Sequence, residues 1–178
     1  MSRYVALIRG INVTGSNLIK MERLRALFEK GGCTKVRTYI QSGNVVFDSR
    51  KAAARCVASI EAFLADELGK PIAAHVRTSA ELRAIIAANP FAKEKNIEPS
   101  RLAVSFLSGP PSKDRLDALR AVDSGSDRFV ARGSEIYMHC PDGFGRSKLA
   151  AGLDRVLSSK STSRNWNTVT TLYELSIL

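Results

Sequence analysis

Four short segments combine cationic and amide side chains with residues that allow close approach. Arg9-Gly10-Ile11-Asn12-Val13 ends an apolar run and opens a Gly-containing polar loop. In α/β proteins ligands sit beyond the carboxyl ends of strands, and helix N-termini attract anions through their free N–H groups. Arg9 there can fork onto a phosphate or carboxylate, with Asn12 and Asn17 adding neutral hydrogen bonds. In Gln41-Ser42-Gly43-Asn44 the Gly and Asn are what a tight hairpin turn requires, so Gln41 and Ser42 exceed that need.

Gly145-Arg146-Ser147-Lys148 precedes an apolar-striped segment. Ser147 and Lys148 at a helix start suit anion binding, with Lys as a point charge. A Ser activated by its neighbouring Lys fits poorly, because adjacent helical side chains point about 100° apart. Arg164-Asn165-Trp166-Asn167-Thr168 opens the last helix in this reading. Arg164, Asn167 and Thr168 then share one face, and Asn and Thr are poor helix formers that are retained where they touch something. The candidate ligand-binding set is therefore Arg9, Asn12, Gln41, Ser42, Asn44, Ser147, Lys148, Arg164, Asn167 and Thr168.

The same residues name no reaction. The first loop matches neither Gly-x-Gly-x-x-Gly nor the phosphate-loop spacing. His75 and His139 fall in strand-like runs without a partner cluster, and Cys33, Cys56 and Cys140 are odd in number without metal-ligand spacing. No metal site, cofactor, catalytic triad or paired-carboxylate arrangement is expected, and whether the protein is an enzyme stays open.

These segments must be held by a folded scaffold. The 178 residues are 44% hydrophobic and 25% charged, a globular balance, and are enough to bury roughly 70% of the unfolded surface. The net charge of +10 is unusual and favours acidic partners, either phosphate-bearing small molecules or nucleic acid. Residues 1–77 carry 13 Lys and Arg against 6 Asp and Glu, and residues 78–178 carry 14 against 11. There is no long basic run, and at 7% aromatic the chain lacks the stacking strands of RNA readers. No apolar run reaches the ~18 residues of a membrane span and no secretory leader is visible. A cytoplasmic protein with reduced cysteines and no membrane partner is expected.

Periodicity then places the elements. A strand at residues 4–8 is followed by a helix with Met21, Leu24, Leu27 and Phe28 in phase, stopped by Gly31-Gly32. Strands at 35–40 and 45–47 form a hairpin. A long helix carries Cys56, Ile60 and Leu64 on one face, and a strand at 72–76 completes β-α-β-β-α-β, the ferredoxin-like order. Thr78 with Glu81 forms a capping box for the next helix. A second unit partly repeats this. It has a strand at 102–107, a helix capped by Ser112, a hairpin around Arg132-Gly133-Ser134 and a helix bearing Leu149, Leu153 and Val156. A last helix carries Trp166, Val169 and Tyr173. The fold class is α+β: two ferredoxin-like units sharing a core, βαββαβ over 1–88 and a partial βαββα plus a C-terminal helix over 101–178, joined by a linker at 89–100.

Over nearly its whole length the chain resembles a bacterial family known as domain of unknown function 1697. The resemblance rests on residues 4–13, 36–47, Ser147-Lys148-Leu149 and 163–169. Thr14 stands where that family usually has Gly, and Lys20 where Pro often precedes Met21. The resemblance implies a two-part α+β fold with ferredoxin-like units and no reaction. The expected function is binding of an anionic, phosphate-bearing small ligand in a polar cationic cleft between the two units. A nucleic-acid binding module is the alternative, and a structural or protein-interaction role the third. The sequence is silent on oligomeric state.

Overall fold

The computed structural model describes residues 1–157 and 161–178. The chain falls into two compact units, Met1–Arg83 with Thr171–Leu178, and Ala84–Thr170. In the first, β1 (Ser2–Ile8), α1 (Met21–Lys30), β2 (Thr34–Tyr39), β3 (Asn44–Ser49), α2 (Ala53–Leu68) and β4 (Ala74–Thr78) build an antiparallel sheet in the order β2-β3-β1-β4. α3 (Ser79–Ala87) follows β4 directly. One face of the sheet offers Tyr4, Ala6, Ile8, Val45 and Phe47 to Leu24, Leu27 and Phe28 of α1 and to Cys56, Ile60 and Leu64 of α2. Those helix positions recur three or four residues apart because one stripe of each helix must leave water.

The opposite face of the sheet is buried too. Val5 and Leu7 are fully inaccessible and Val46 nearly so, which is why β1 reads as a continuous apolar run instead of an alternation. Two local signals read from sequence are realised. Thr78 and Glu81 form the reciprocal capping box, Thr78 N–H donating to Glu81 Oε2 at 2.7 Å and Glu81 N–H to Thr78 Oγ1 at 3.1 Å. Gly69 ends α2 in the left-handed conformation, φ +71°.

In the second unit, β5 (Leu102–Leu107), α4 (Lys113–Arg120), β6 (Arg128–Arg132), β7 (Glu135–His139), α5 (Lys148–Val156) and β8 (Ser161–Asn165) give a sheet in the order β6-β7-β5-β8, and α6 (Trp166–Ile177) follows. The α+β fold of two ferredoxin-like units is therefore as expected, but the second repeat is complete. Arg164 does not open the last helix. It lies in β8, paired with Val104 of β5, so it does not share a helix face with Asn167 and Thr168. β8 escapes a hydrophobic reading because Ser161, Thr162 and Arg164 are its buried residues. The first hairpin also differs. Tyr39 pairs with Asn44, so the turn has four residues, 40–43, and Asn44 belongs to the strand.

Candidate functional site

The loop after β1 is fixed by hydrogen bonds that its own sequence supplies. Ile8 N–H donates to Gly43 O at 2.8 Å and Arg9 N–H to Ala73 O at 2.9 Å, tying the strand end to the hairpin turn and to the residue before β4. Asn12 then uses its whole amide. Its Nδ2 donates to Ile19 O at 2.9 Å and to Gln41 O at 3.0 Å, and its Oδ1 accepts from Ile19 N–H at 2.8 Å. Asn17 Nδ2 closes the loop onto Gly10 O at 2.8 Å. Gly10, Asn12, Thr14, Gly15 and Asn17 all have positive φ. Asn and Gly tolerate this region, whereas the β-branched Thr14 is strained there.

The facing turn carries the same strain, with Ile40 at φ +49° and Gly43 at φ +78°. A Cβ on Gly43 would lie 2.9 Å from Ile8 O, so this backbone approach admits only glycine. Asn44 is fully buried and donates from Nδ2 to Tyr39 O at 3.2 Å and Ser42 Oγ at 3.0 Å. Of the candidates, Asn12 and Gln41 are thus bonded to each other, Ser42 and Asn44 are bonded to each other beside them, and Arg9 stands at the root of the loop. It borders a cleft of about 550 Å³ lined by Asn12, Leu18, Ile19, Lys20, Met21, Glu22 and Gln41. Lys20 is exposed at the N-cap of α1, and with Met21 and Glu22 it brings the start of that helix to the cleft wall. Glu22 is held below the usual carboxylate range, first by its own backbone N–H and further by Arg25, 3.4 Å away.

In the second unit Ser147 caps α5, its Oγ accepting from Ala150 N–H at 2.9 Å. The same hydroxyl donates to Asp127 Oδ2 at 2.7 Å and accepts from Cys140 Sγ at 3.4 Å. Burial pushes the Cys140 thiol up to about 11, which favours the protonated form. Ser147 and the exposed Lys148 line a cleft of about 400 Å³ together with Asp123, Asp127, Asp142 and Arg146. Three carboxylates against two cations make this a poor anion site.

Arg164 is buried in β8. Its Nη1 donates to Thr162 Oγ1 at 2.7 Å and to Ser163 O at 2.8 Å, and burial lowers its pKa to about 10. At the junction with α6, Asn165 Oδ1 accepts from Thr168 N–H at 2.8 Å as an N-cap. Thr168 is buried and Asn167 exposed. A further cleft of about 480 Å³ lies beside α1 and α2, where Arg23 is locked to Glu67 at 2.8 and 2.6 Å and Lys51 to Gly31 O and Ser59 Oγ.

Among the described residues no group of three or more His, Cys, Asp or Glu could hold a metal ion, and the three cysteines are free. No described helix is long and apolar enough to cross a membrane. Sequence reasoning missed the apolar wall of the first cleft and Asp127 beneath Ser147. Leu18 and Ile19 look like loop filler, and nothing in the spacing of Asp127 ties it to residue 147, twenty positions on.

No curated protein matches the chain. Among solved structures it is similar to the conserved bacterial protein SP0830 from Streptococcus pneumoniae, with TM-score 0.83 and 23% identity over 100% of this chain and 99% of that one, a likeness of fold. An unknown protein from Galdieria sulphuraria aligns over 92% of this chain and 96% of that one, at 11% identity and TM-score 0.25. The family model described as protein of unknown function (DUF1697) matches residues 1–137, more than three quarters of the chain, and the chain belongs to that family.

Proposed function

We propose that this protein binds an anionic, phosphate-bearing small ligand, and that the first unit takes it at the mouth formed by loop 9–20 and turn 40–43. The observation that carries the reading is a loop stitched by Asn12 onto Ile19 and Gln41, with Lys20 walling the cleft it borders. Arg9 stands at the root of the same loop, and the two segments contain no Asp or Glu. A rigid mouth lowers the ordering cost of binding, and the N-terminus of α1 adds a favourable field for an anion. Glu22, which lines the same cleft, is the opposing charge. Three free thiols suit a reducing compartment, so the cytoplasm is the proposed location.

A thermal-shift screen of nucleotides, pyrophosphate and phosphorylated metabolites tests this. At a hundredfold excess over Kd a true ligand should raise Tm by roughly 5–10 °C. Lys20→Ala and Arg9→Ala should diminish the shift, and Glu22→Gln should enlarge it. If no compound stabilises the wild type selectively, the reading fails.

The charge of +10 favours nucleic acid as a second reading. The sheets give it less support. Ferredoxin-like RNA readers stack bases on the sheet face turned away from the helices. Here the face carrying Val5, Leu7 and Val46 is buried, and so are Leu102, Val104, Phe106 and Tyr137 in the second unit. A salt titration with random oligonucleotides separates the two readings, since phosphate-backbone binding collapses steeply with salt.

A further inference from the structure

The cleft at the loop mouth is only half polar. Asn12, Lys20, Glu22 and Gln41 line it together with Leu18, Ile19 and Met21. Leu18 is 68% exposed, Val13 50% and Ile40 52%. Among the described residues the other exposed large hydrophobics, Met1, Ile177 and Leu178, all lie at the chain ends. Scattered exposed aliphatics need no explanation, but each of these three is the chain neighbour of a residue in one hydrogen-bonded set. Val13 follows Asn12, Leu18 precedes Ile19 and Ile40 precedes Gln41, and the Asn12 amide binds Ile19 and Gln41 together. The same bonds that fix the polar mouth therefore fix an apolar rim. Ile40 is held there in a left-handed conformation that a β-branched residue rarely adopts.

A site for inorganic phosphate or a sugar phosphate would be walled by hydroxyls, amides and charges. This one sets Lys20 beside aliphatic surface, with Glu22 as the one opposing charge, and a cation next to aliphatic surface matches an anionic head on an apolar body. We infer that the ligand is a small amphiphilic phosphate, a monoester whose alcohol part is aliphatic, with the phosphate at Lys20 and the chain along Leu18 and Met21. The inference rests on the anion reading above and specifies the class of its ligand.

Calorimetric titration of the whole protein with inorganic phosphate and with ethyl, butyl and hexyl phosphate, kept below micelle-forming concentrations, tests it. Affinity should rise along the series by up to about fourfold per methylene, the value for a fully buried group. Leu18→Ser and Ile40→Ser alter exposed loop positions and should each flatten that slope, with unchanged thermal melts showing that the variants are folded. Binding of phosphate and all three esters with equal affinity would overturn the amphiphile inference and leave the anion reading standing. Failure of every compound to bind would overturn both. A slope that survives both substitutions would place the chain elsewhere and overturn the assignment. Co-sedimentation with vesicles containing phosphatidic acid, without binding of soluble hexyl phosphate, would assign the surface to a bilayer and overturn the soluble ligand.

Discussion

Asn12 shows how one side chain can tie a loop and a turn together. Both of its Nδ2 protons and one Oδ1 lone pair are engaged by Ile19 and Gln41, so it braces loop 9–20 against turn 40–43. Its polarity was legible in the sequence. Its partners were not, because residue 41 lies 29 positions away. Arg164 was legible in the same limited sense: the residue stood out, but its burial depends on β8. Truncating it leaves Thr162 and Ser163 without their donor and opens a cavity, so Arg164→Ala should cost about 3–5 kcal/mol in denaturant unfolding. Arg164→Met, which refills the space, should cost clearly less. Equal losses for the two variants would contradict a packing role.

Asp48 gives a pH signature at the same scale. Arg3 lies opposite it in the β1–β3 register and donates from Nε to Oδ1 and from Nη2 to Oδ2, and this pair holds the Asp48 carboxyl below its ordinary range. A carboxylate depressed in the folded state contributes stability that is present above the unfolded pKa, near 3.9, and lost as pH falls through the folded value. Asp48→Asn should therefore cost about 1–2 kcal/mol at pH 7, a partly buried charged pair discounted for solvent. The gap from wild type should close in urea melts below about pH 4, and a gap that is the same at pH 7 and pH 3 would count against the pair.

At the scale of elements, the sequence told strands and helices apart wherever apolar residues set the period. α1, α2, β1 and the β6–β7 hairpin follow from spacing and turn chemistry, as do the capping box at Thr78 and the cap at Ser112. β8 was missed because Ser-Thr-Ser-Arg-Asn offers no apolar alternation, and what it buries is polar. The first hairpin was seen but its turn was misjudged, because Gly43-Asn44 resembles a two-residue turn until the pairing of Tyr39 with Asn44 is known. Gly43 is the position where this element meets the site. Gly43→Ala forces a Cβ against Ile8 O in a left-handed backbone, and should cost about 2 kcal/mol or more. Gly69→Ala has a similar φ of +71° but nothing within 4 Å, so it should cost only about 1 kcal/mol. If the two variants melt alike, close approach at Gly43 is not what fixes the turn.

For the whole molecule, the order β-α-β-β-α-β-α occurs twice, and the sheets repeat it as β2-β3-β1-β4 and β6-β7-β5-β8. The two repeats put different chemistry at their clefts: Lys20 and Glu22 with amides and aliphatics in the first, and Asp123, Asp127 and Asp142 beside Arg146 and Lys148 in the second. A net charge of +10 draws anions to the molecule as a whole, so the central claim concerns where one is held. The most direct measurement is amide chemical-shift mapping of the full chain during titration with butyl phosphate. The account predicts saturable changes concentrated at residues 9–22 and 40–43, weakened in Lys20→Ala. Shifts spread evenly over the basic surface without saturation, or saturable shifts confined to residues 123–148, would contradict it.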